Sequence, residues 1–246
     1  MITDKADLSP IYRAVAGALI ERIDNGDLPP GSRCPSERQL ASEFGISRMT
    51  ARAAVNLLVQ RGYVERKNGS GTFVASPKIE LDLSTVAGFS DRVLRHGITP
   101  GARVIEAHTV RASELNASVA TALEISDKEP VHVLVRARTG DHELLALEES
   151  YFPARHCPTL LDNELTGSIY ELLRTTCNLE PAHLRQRLEI TQLNSSAAEV
   201  LATHPDAPAL QVTRTTWDAQ GFPIEFARDL YRGDRLLFVS DAPASP

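Results

Sequence analysis

The sequence predicts an α+β chain in two parts: a small helical head ending in a β-hairpin, and a larger body with a mainly antiparallel sheet. Three observations predict it. Pro35–Val74 reads PSERQLASEFGISRMTARAAVNLLVQRGYVERKNGSGTFV, two short helical periods followed by a β-prone pair of runs. From Ala102 onward, strand-like runs alternate with short helical ones, a pattern that gives an α+β domain. The charge also changes sign along the chain. Through Lys78 there are 11 Lys and Arg against 8 Asp and Glu, and beyond it 15 against 24. With 246 residues, 42% of them hydrophobic, the chain can bury two cores. A basic module joined to an acidic one fits a nucleic-acid-binding head on a body with another task, which the overall charge of −6 conceals.

Residues 1–8 are expected to fray. Ser9-Pro10 then starts a helix carrying Ile11, Val15, Ala18, Leu19 and Ile23 as an apolar stripe, closed by Gly26. Leu28-Pro29-Pro30-Gly31 is a rigid turn. Ser36 caps a helix over 37–44, and Gln39 completes a capping box. Gly45 ends that helix and Ser47 caps the next, 48–61, so a tight Gly45-Ile46 turn makes a helix-turn-helix. Ala51, Ala54, Val55 and Leu58 pack inward, while Arg48, Met49, Thr50 and Arg52 crowd the first turns, where a recognition helix meets base edges. Arginine suits that place because its planar fork can bond guanine O6 and N7 together. Tyr63–Arg66 and Thr72–Val74 are β-prone around the turn Lys67-Asn68-Gly69-Ser70-Gly71, forming the wing of a winged helix-turn-helix.

The run PSERQLA, then GISRMTARAAVNLLVQRGYVER, then GSGTFV, resembles the DNA-binding domain of the GntR family of bacterial transcription regulators, over residues 9 to 75. The resemblance implies that Arg38, Arg48, Thr50 and Arg52, with Gly69 at the wing, contact double-stranded operator DNA. Cys34 departs from the family's usual leucine, and Met49-Thr50-Ala51 from its usual Thr-Thr-Val.

The domains are expected at residues 1–75 and 84–246, with 76–83 as linker. In the body, 84–96 is helical; 103–111 is a strand; 118–124 is a helix capped by Ser118; 131–138 and 143–152 form a hairpin. Thr166-Gly167-Ser168 starts a helix, 182–192 is a strand, Ser195 caps a helix to Ala202, and 211–217 with 223–231 forms a final hairpin. Side chains two apart on a strand share a face. Arg136 and Arg138 therefore stand together, as do Glu148 and Ser150, and Glu225, Asp229 and Tyr231. Paired arginines suit a carboxylate or phosphate, and Ser168 at a helix start offers backbone N–H groups to an anion. A solvated sheet face with cross-strand ion pairs is the plainer alternative.

VRARTG, LALEESYFP, GSIYELL and TRTTWDAQGFPIEFARDLYRGDR resemble the UTRA ligand-sensing domain of the HutC-type branch, over residues 84 to 240. The resemblance implies a chorismate-lyase-like fold whose cleft takes a small effector, such as a sugar phosphate or other small anion. It also implies that Arg136, Arg138, Glu148, Ser168, Glu225 and Tyr231 contact that effector.

The three cysteines, Cys34, Cys157 and Cys177, are too scattered for a disulfide framework, so reduced thiols are expected. The seven histidines show no metal-ligand spacing, no nucleophile motif is present, and no catalytic residue, metal or cofactor is assigned. No long apolar run, signal-peptide pattern or internal repeat is visible. The expectation is a cytoplasmic, homodimeric, ligand-responsive repressor with no membrane partner. An enzyme acting on a small carboxylate or phosphate through the second domain is the alternative.

Overall fold

A computed structural model describes residues 9–67 and 69–241. The expected fraying of residues 1–8 and the turn residue Asn68 lie outside them. The chain divides into two compact units, one through Pro77 and one from Lys78.

In the head, α1 (Ser9–Asp24), α2 (Glu37–Glu43) and α3 (Arg48–Gln60) precede the hairpin of β1 (Val64–Lys67) and β2 (Gly71–Val74). The capping box forms as the sequence predicts: Gln39 N donates to Ser36 Oγ and Ser36 N donates to Gln39 Oε1. Leu19, Leu40, Ala51, Ala54, Val55 and Leu58 form one core beneath the hairpin. The segment after α1 also lies along β2. Val74 N donates to Ser32 O at 2.8 Å, Cys34 N donates to Thr72 O at 2.9 Å, and Arg33 bridges to Phe73. Alternation there sends Cys34 into the core and leaves Arg33 exposed.

The body is built on a six-stranded antiparallel sheet. Its strands are β4 (Pro100–Arg111), β5 (Pro130–Gly140), β6 (Glu143–Pro153), β7 (Pro181–Gln192), β8 (Pro208–Asp218) and β9 (Pro223–Arg232), in the spatial order β4-β5-β6-β9-β8-β7. Asp141 and His142, both at positive φ, make the two-residue turn between β5 and β6. Helices α4 (Phe89–Leu94), α5 (Ala117–Leu123), α6 (Ile169–Cys177) and α7 (Ser195–Val200) complete the unit. Two further strands, β3 (Ile79–Asp82) and β10 (Leu236–Val239), pair in parallel, with Leu236 opposite Ile79.

Several details differ from the sequence reading. Residues 79–82, expected as linker, form β3; their partner strand lies at the other end of the domain, so no local pattern marks them. The helix expected over 84–96 is confined to α4, because Gly88 takes an extended conformation and caps it. Asn116 rather than Ser118 caps α5, and Asn194 rather than Ser195 caps α7. Cys157 and Cys177 are joined as a disulfide, with Cα atoms 5.1 Å apart, because the chain after β6 returns beneath the end of α6. A structural repeat also emerges: strand, helix, strand, strand occurs as β4-α5-β5-β6 and again as β7-α7-β8-β9, and the two halves are mirrored in the sheet order.

Candidate functional site

Two surfaces collect the residues named above. On the head, Arg38 at the start of α2 and Arg48 at the start of α3 line one cavity of about 380 Å³ with Arg33 and the wing residues Gly71 and Thr72. Arg52 is exposed one turn further along α3, and Met49 beside it is 67% exposed. Arg33, Arg38, Arg48 and Arg52 have no ion-pair partner among the described residues. Gly69 sits at the wing tip with φ +71°. Thr50 stands apart from this set: it is 4% exposed, and its Oγ1 lies 2.9 Å from Ser47 Oγ. Its side chain serves the α3 cap, and the outer face at this turn belongs to Arg48, Met49 and Arg52. Arg33 escaped the sequence reading because only the pairing of its segment with β2 brings it to the wing.

In the body, β5, β6, β8 and β9 turn one face toward α4 and α6. Arg136 and Glu148 are cross-strand partners, and Arg138 lies two residues on along the same face. Glu148 Oε2 accepts from Arg136 Nη2 at 2.8 Å and from Arg138 Nη1 at 3.0 Å, and all three groups are buried. Arg136 Nη1 also donates to the carbonyls of Leu165 and Gly167, in the loop before α6, at 3.0 and 2.9 Å. Arg138 donates to Ser90 Oγ on α4 at 2.8 Å and lies over the Phe89 ring.

A second cluster adjoins the first. Glu225 Oε2 accepts from Tyr170 Oη and Thr216 Oγ1, both at 2.9 Å. Arg214 lies between Glu225 and Asp229. Burial lowers the Arg136 pKa to about 10, with Glu148 opposing the shift and Arg138 adding to it, so the group stays charged at neutral pH. Burial would raise Glu148, but the guanidinium groups of Arg138 and Arg136 prevail and hold it below the usual carboxylate range.

Between the clusters lies a polar cavity of about 20 Å³. That volume suits one or two water molecules, so the site is closed in this state. Arg136, Arg138, Glu148, Ser168 and Glu225 all line it, together with Arg214. Ser168 Oγ is engaged as the α6 cap, accepting from Glu171 N at 3.3 Å. Tyr231 is not on the wall. It stands behind Asp229, to which its hydroxyl donates at 3.3 Å, and packs edge-on against Phe238. Arg214, Tyr170, Thr216 and Ser90 were missed by the sequence reading. Strand parity could have found Arg214 and Thr216, since the last hairpin sets Thr216 opposite Glu225. Nothing local marks Ser90 or Tyr170, which reach the site from helices.

Comparison with known proteins agrees with both parts. Residues 11–74 match the family described as bacterial regulatory proteins, gntR family, and residues 95–236 match the UTRA domain. The chain is 34% identical to the HTH-type transcriptional repressor NagR of Bacillus subtilis (strain 168), with 97% of each chain covered. It is 27% identical to a probable fructoselysine utilization operon transcriptional repressor of Escherichia coli (strain K12), again over 97% of each. Among solved structures, PhnF from Mycobacterium smegmatis superposes with a TM-score of 0.66 at 26% identity, covering 94% of this chain and 100% of that one. These relatives are regulators, and they decide against the enzyme alternative. GntR helix-turn-helix domains bind DNA and UTRA domains bind small effectors, so the chain belongs to the GntR family of bacterial transcription regulators, in the HutC-type branch that joins a winged helix-turn-helix to a UTRA domain.

Proposed function

We propose that this regulator is a cytoplasmic homodimeric repressor released from its operator by a small anion of the sugar-phosphate class. One observation carries the choice of ligand. Three arginines, Arg136, Arg138 and Arg214, line the closed cavity against two carboxylates, Glu148 and Glu225. Asp229, paired with Arg214 behind the wall, balances the third arginine when ionised, and its protonation leaves a buried positive excess that favours an anion. Glu148 holds Arg136 and Arg138 at the spacing an incoming phosphate or carboxylate would bridge. Ser168, Glu225 and Tyr170 then supply hydrogen-bonding groups for a polar body, with Tyr231 fixing the wall from behind.

The closed volume means that binding requires the wall to move. The parts that hold it shut are Ser90 on α4 and the loop carbonyls of Leu165 and Gly167. A ligand that binds the opened state better shifts the population toward it, and the coupling to DNA is reciprocal. On the head, Arg38, Arg48, Arg52 and the Gly69 tip form the DNA-contacting set, while Thr50 holds the start of the recognition helix. The body is proposed to supply the dimer interface, which places two heads on a near-palindromic operator. The twelve-residue edge strand β7, where Ile190 is 90% exposed, supports a protein partner there.

The test is a thermal-shift and operator-release titration with sugar phosphates and the matching neutral sugars. Sugar phosphates should raise the melting temperature and release DNA, while the neutral sugars do neither. A chain stabilised equally by both sets, or by neither, would refute the anionic-effector reading.

A further inference from the structure

The head carries a cation that neither the family motif nor the proposed contact set includes. Arg33 lies before the PSERQLA motif, in a segment whose only regular feature is its pairing with β2. Its backbone is fixed there by the bridge to Phe73 and by the flanking bonds from Val74 N to Ser32 O and from Cys34 N to Thr72 O. The buried side chain of Cys34 anchors the segment from the other face. The Arg33 guanidinium lies against the backbone of Gly71, where an added Cβ would fall 3.2 Å from both Nε and Nη2. Gly71 itself has φ +118°. Glycine tolerates that backbone conformation without strain, and its lack of a Cβ lets the guanidinium approach unhindered.

The charge stands beside the wing and is not neutralised. Arg33 has no ion-pair or hydrogen-bond partner among the described residues. It shares the 380 Å³ cavity with Arg38 and Arg48, against the single carboxylate of Glu37. Three guanidinium groups around one open concavity, set between the recognition helix and the wing, match the spread of charge on a nucleic-acid backbone. The pairing with β2 fixes the Arg33 backbone beside the wing, and its exposed guanidinium is unpartnered among the described residues and available to an anion.

We propose that Arg33, seated against Gly71, is a backbone-phosphate contact of the head, binding DNA without regard to sequence. The inference rests on the DNA-binding reading, and the experiment separates the two. The probe is a random-sequence DNA duplex, titrated with the full-length chain at a series of salt concentrations. Each phosphate contact contributes about 0.9 to the slope of log affinity against log salt. Arg33→Ala should bind a few-fold more weakly at moderate salt and lose roughly one unit of slope. Arg33→Lys, which keeps the charge, should retain the slope. Gly71→Ala, whose methyl the flexible guanidinium can accommodate by a small shift, should change the slope by less than Arg33→Ala does, and should add nothing to it in combination. A wild-type slope in Arg33→Ala, with the wild-type chain binding normally, overturns this inference alone. A wild-type chain that binds no duplex overturns the DNA-binding reading along with it.

Discussion

Asp229 Oδ2 accepts a 2.9 Å hydrogen bond from Arg214 Nη1, while its other carboxylate oxygen, Oδ1, is buried with no partner among the described residues. The half-satisfied carboxylate sits behind the wall of the effector cavity, and burial brings its ionisation into the neutral pH range.

Burial pushes the Asp229 pKa up to about 7, opposed by Arg214 and helped by the charges of Glu148 and Glu225. In an unfolded chain the group titrates near 3.9. Between about pH 4 and 7 the folded protein therefore holds a proton that the unfolded chain has released, and stability falls as pH rises through that window. Asp229→Asn, neutral throughout, should flatten the decline by on the order of 2–4 kcal/mol. Denaturant unfolding of both proteins from about pH 5 to 8 measures the difference. Parallel curves would mean that Asp229 is ionised across the range. The same protonation makes the cavity more positive, so affinity for an anion should rise as the pH is lowered.

Removing Arg136 should separate sensing from DNA binding. Arg136→Ala takes one of two guanidinium partners from Glu148 and strands the Leu165 and Gly167 carbonyls. Breaking such a buried pair costs about 3–5 kcal/mol of stability. Affinity for an anionic effector should fall by roughly one to two decades. Operator binding without effector should persist, because the head folds around its own core. Operator release against rising effector is compared in wild type, Arg136→Ala and Arg138→Ala. Wild-type sensitivity in both variants would place the pocket elsewhere. Loss of ligand-free operator binding would assign the arginines to the fold or the dimer.

On the recognition helix, exposed and buried positions should behave differently. Arg48→Ala and Arg52→Ala should each weaken specific operator binding by about 1–3 kcal/mol if the residue makes a bidentate base contact. Thr50→Val loses the bond to Ser47 and should cost about 1 kcal/mol of stability with operator preference retained. Competition between operator and scrambled DNA at fixed salt reads the first effect, and thermal unfolding reads the second. A preference lost in Thr50→Val but kept in the arginine variants would reverse the assignment.

The Cys157–Cys177 bond, between residues 20 apart in sequence, closes a segment that includes the cavity wall at Ser168, Ile169 and Tyr170. Cys177→Ser should lower stability by about 3 kcal/mol, the scale expected for a cross-link over a loop of this length. Thiol titration of the unreduced, denatured chain should find one free thiol, Cys34. Three free thiols would show that the pair does not bond in solution.

The head was legible in the sequence because its signals are local. Ser36 with Gln39, the Gly45 stop and the glycine turn of the wing each act within a few residues. The body's hairpins were legible for the same reason, through alternation and turn chemistry. Arg136, Arg138 and Glu148 could be grouped because strand parity and hairpin register carry information across one turn. Long-range pairing was not legible. β3 needs β10, Arg33 needs β2, and Tyr170 meets Glu225 only once α6 has docked. The burial of Thr50 was not legible for a subtler reason: on a short helix the polar residue that closes the cap and the polar residue that faces outward have the same composition.

The parallel pairing of β3 with β10 also sets an order of assembly during synthesis. β3 follows directly after the head, yet its partner lies beyond β9 and is synthesised after the whole six-stranded sheet. The head has all its core residues within the first 74 and can fold as soon as they emerge. The body must wait to complete one cluster, which joins Leu81 of β3 to Leu236 of β10. A nascent or truncated chain ending before Leu236 thus carries a finished head on an unfinished sensor. Such a product would have a recognition helix but neither a finished effector cavity nor the body surface proposed to pair two heads on one operator.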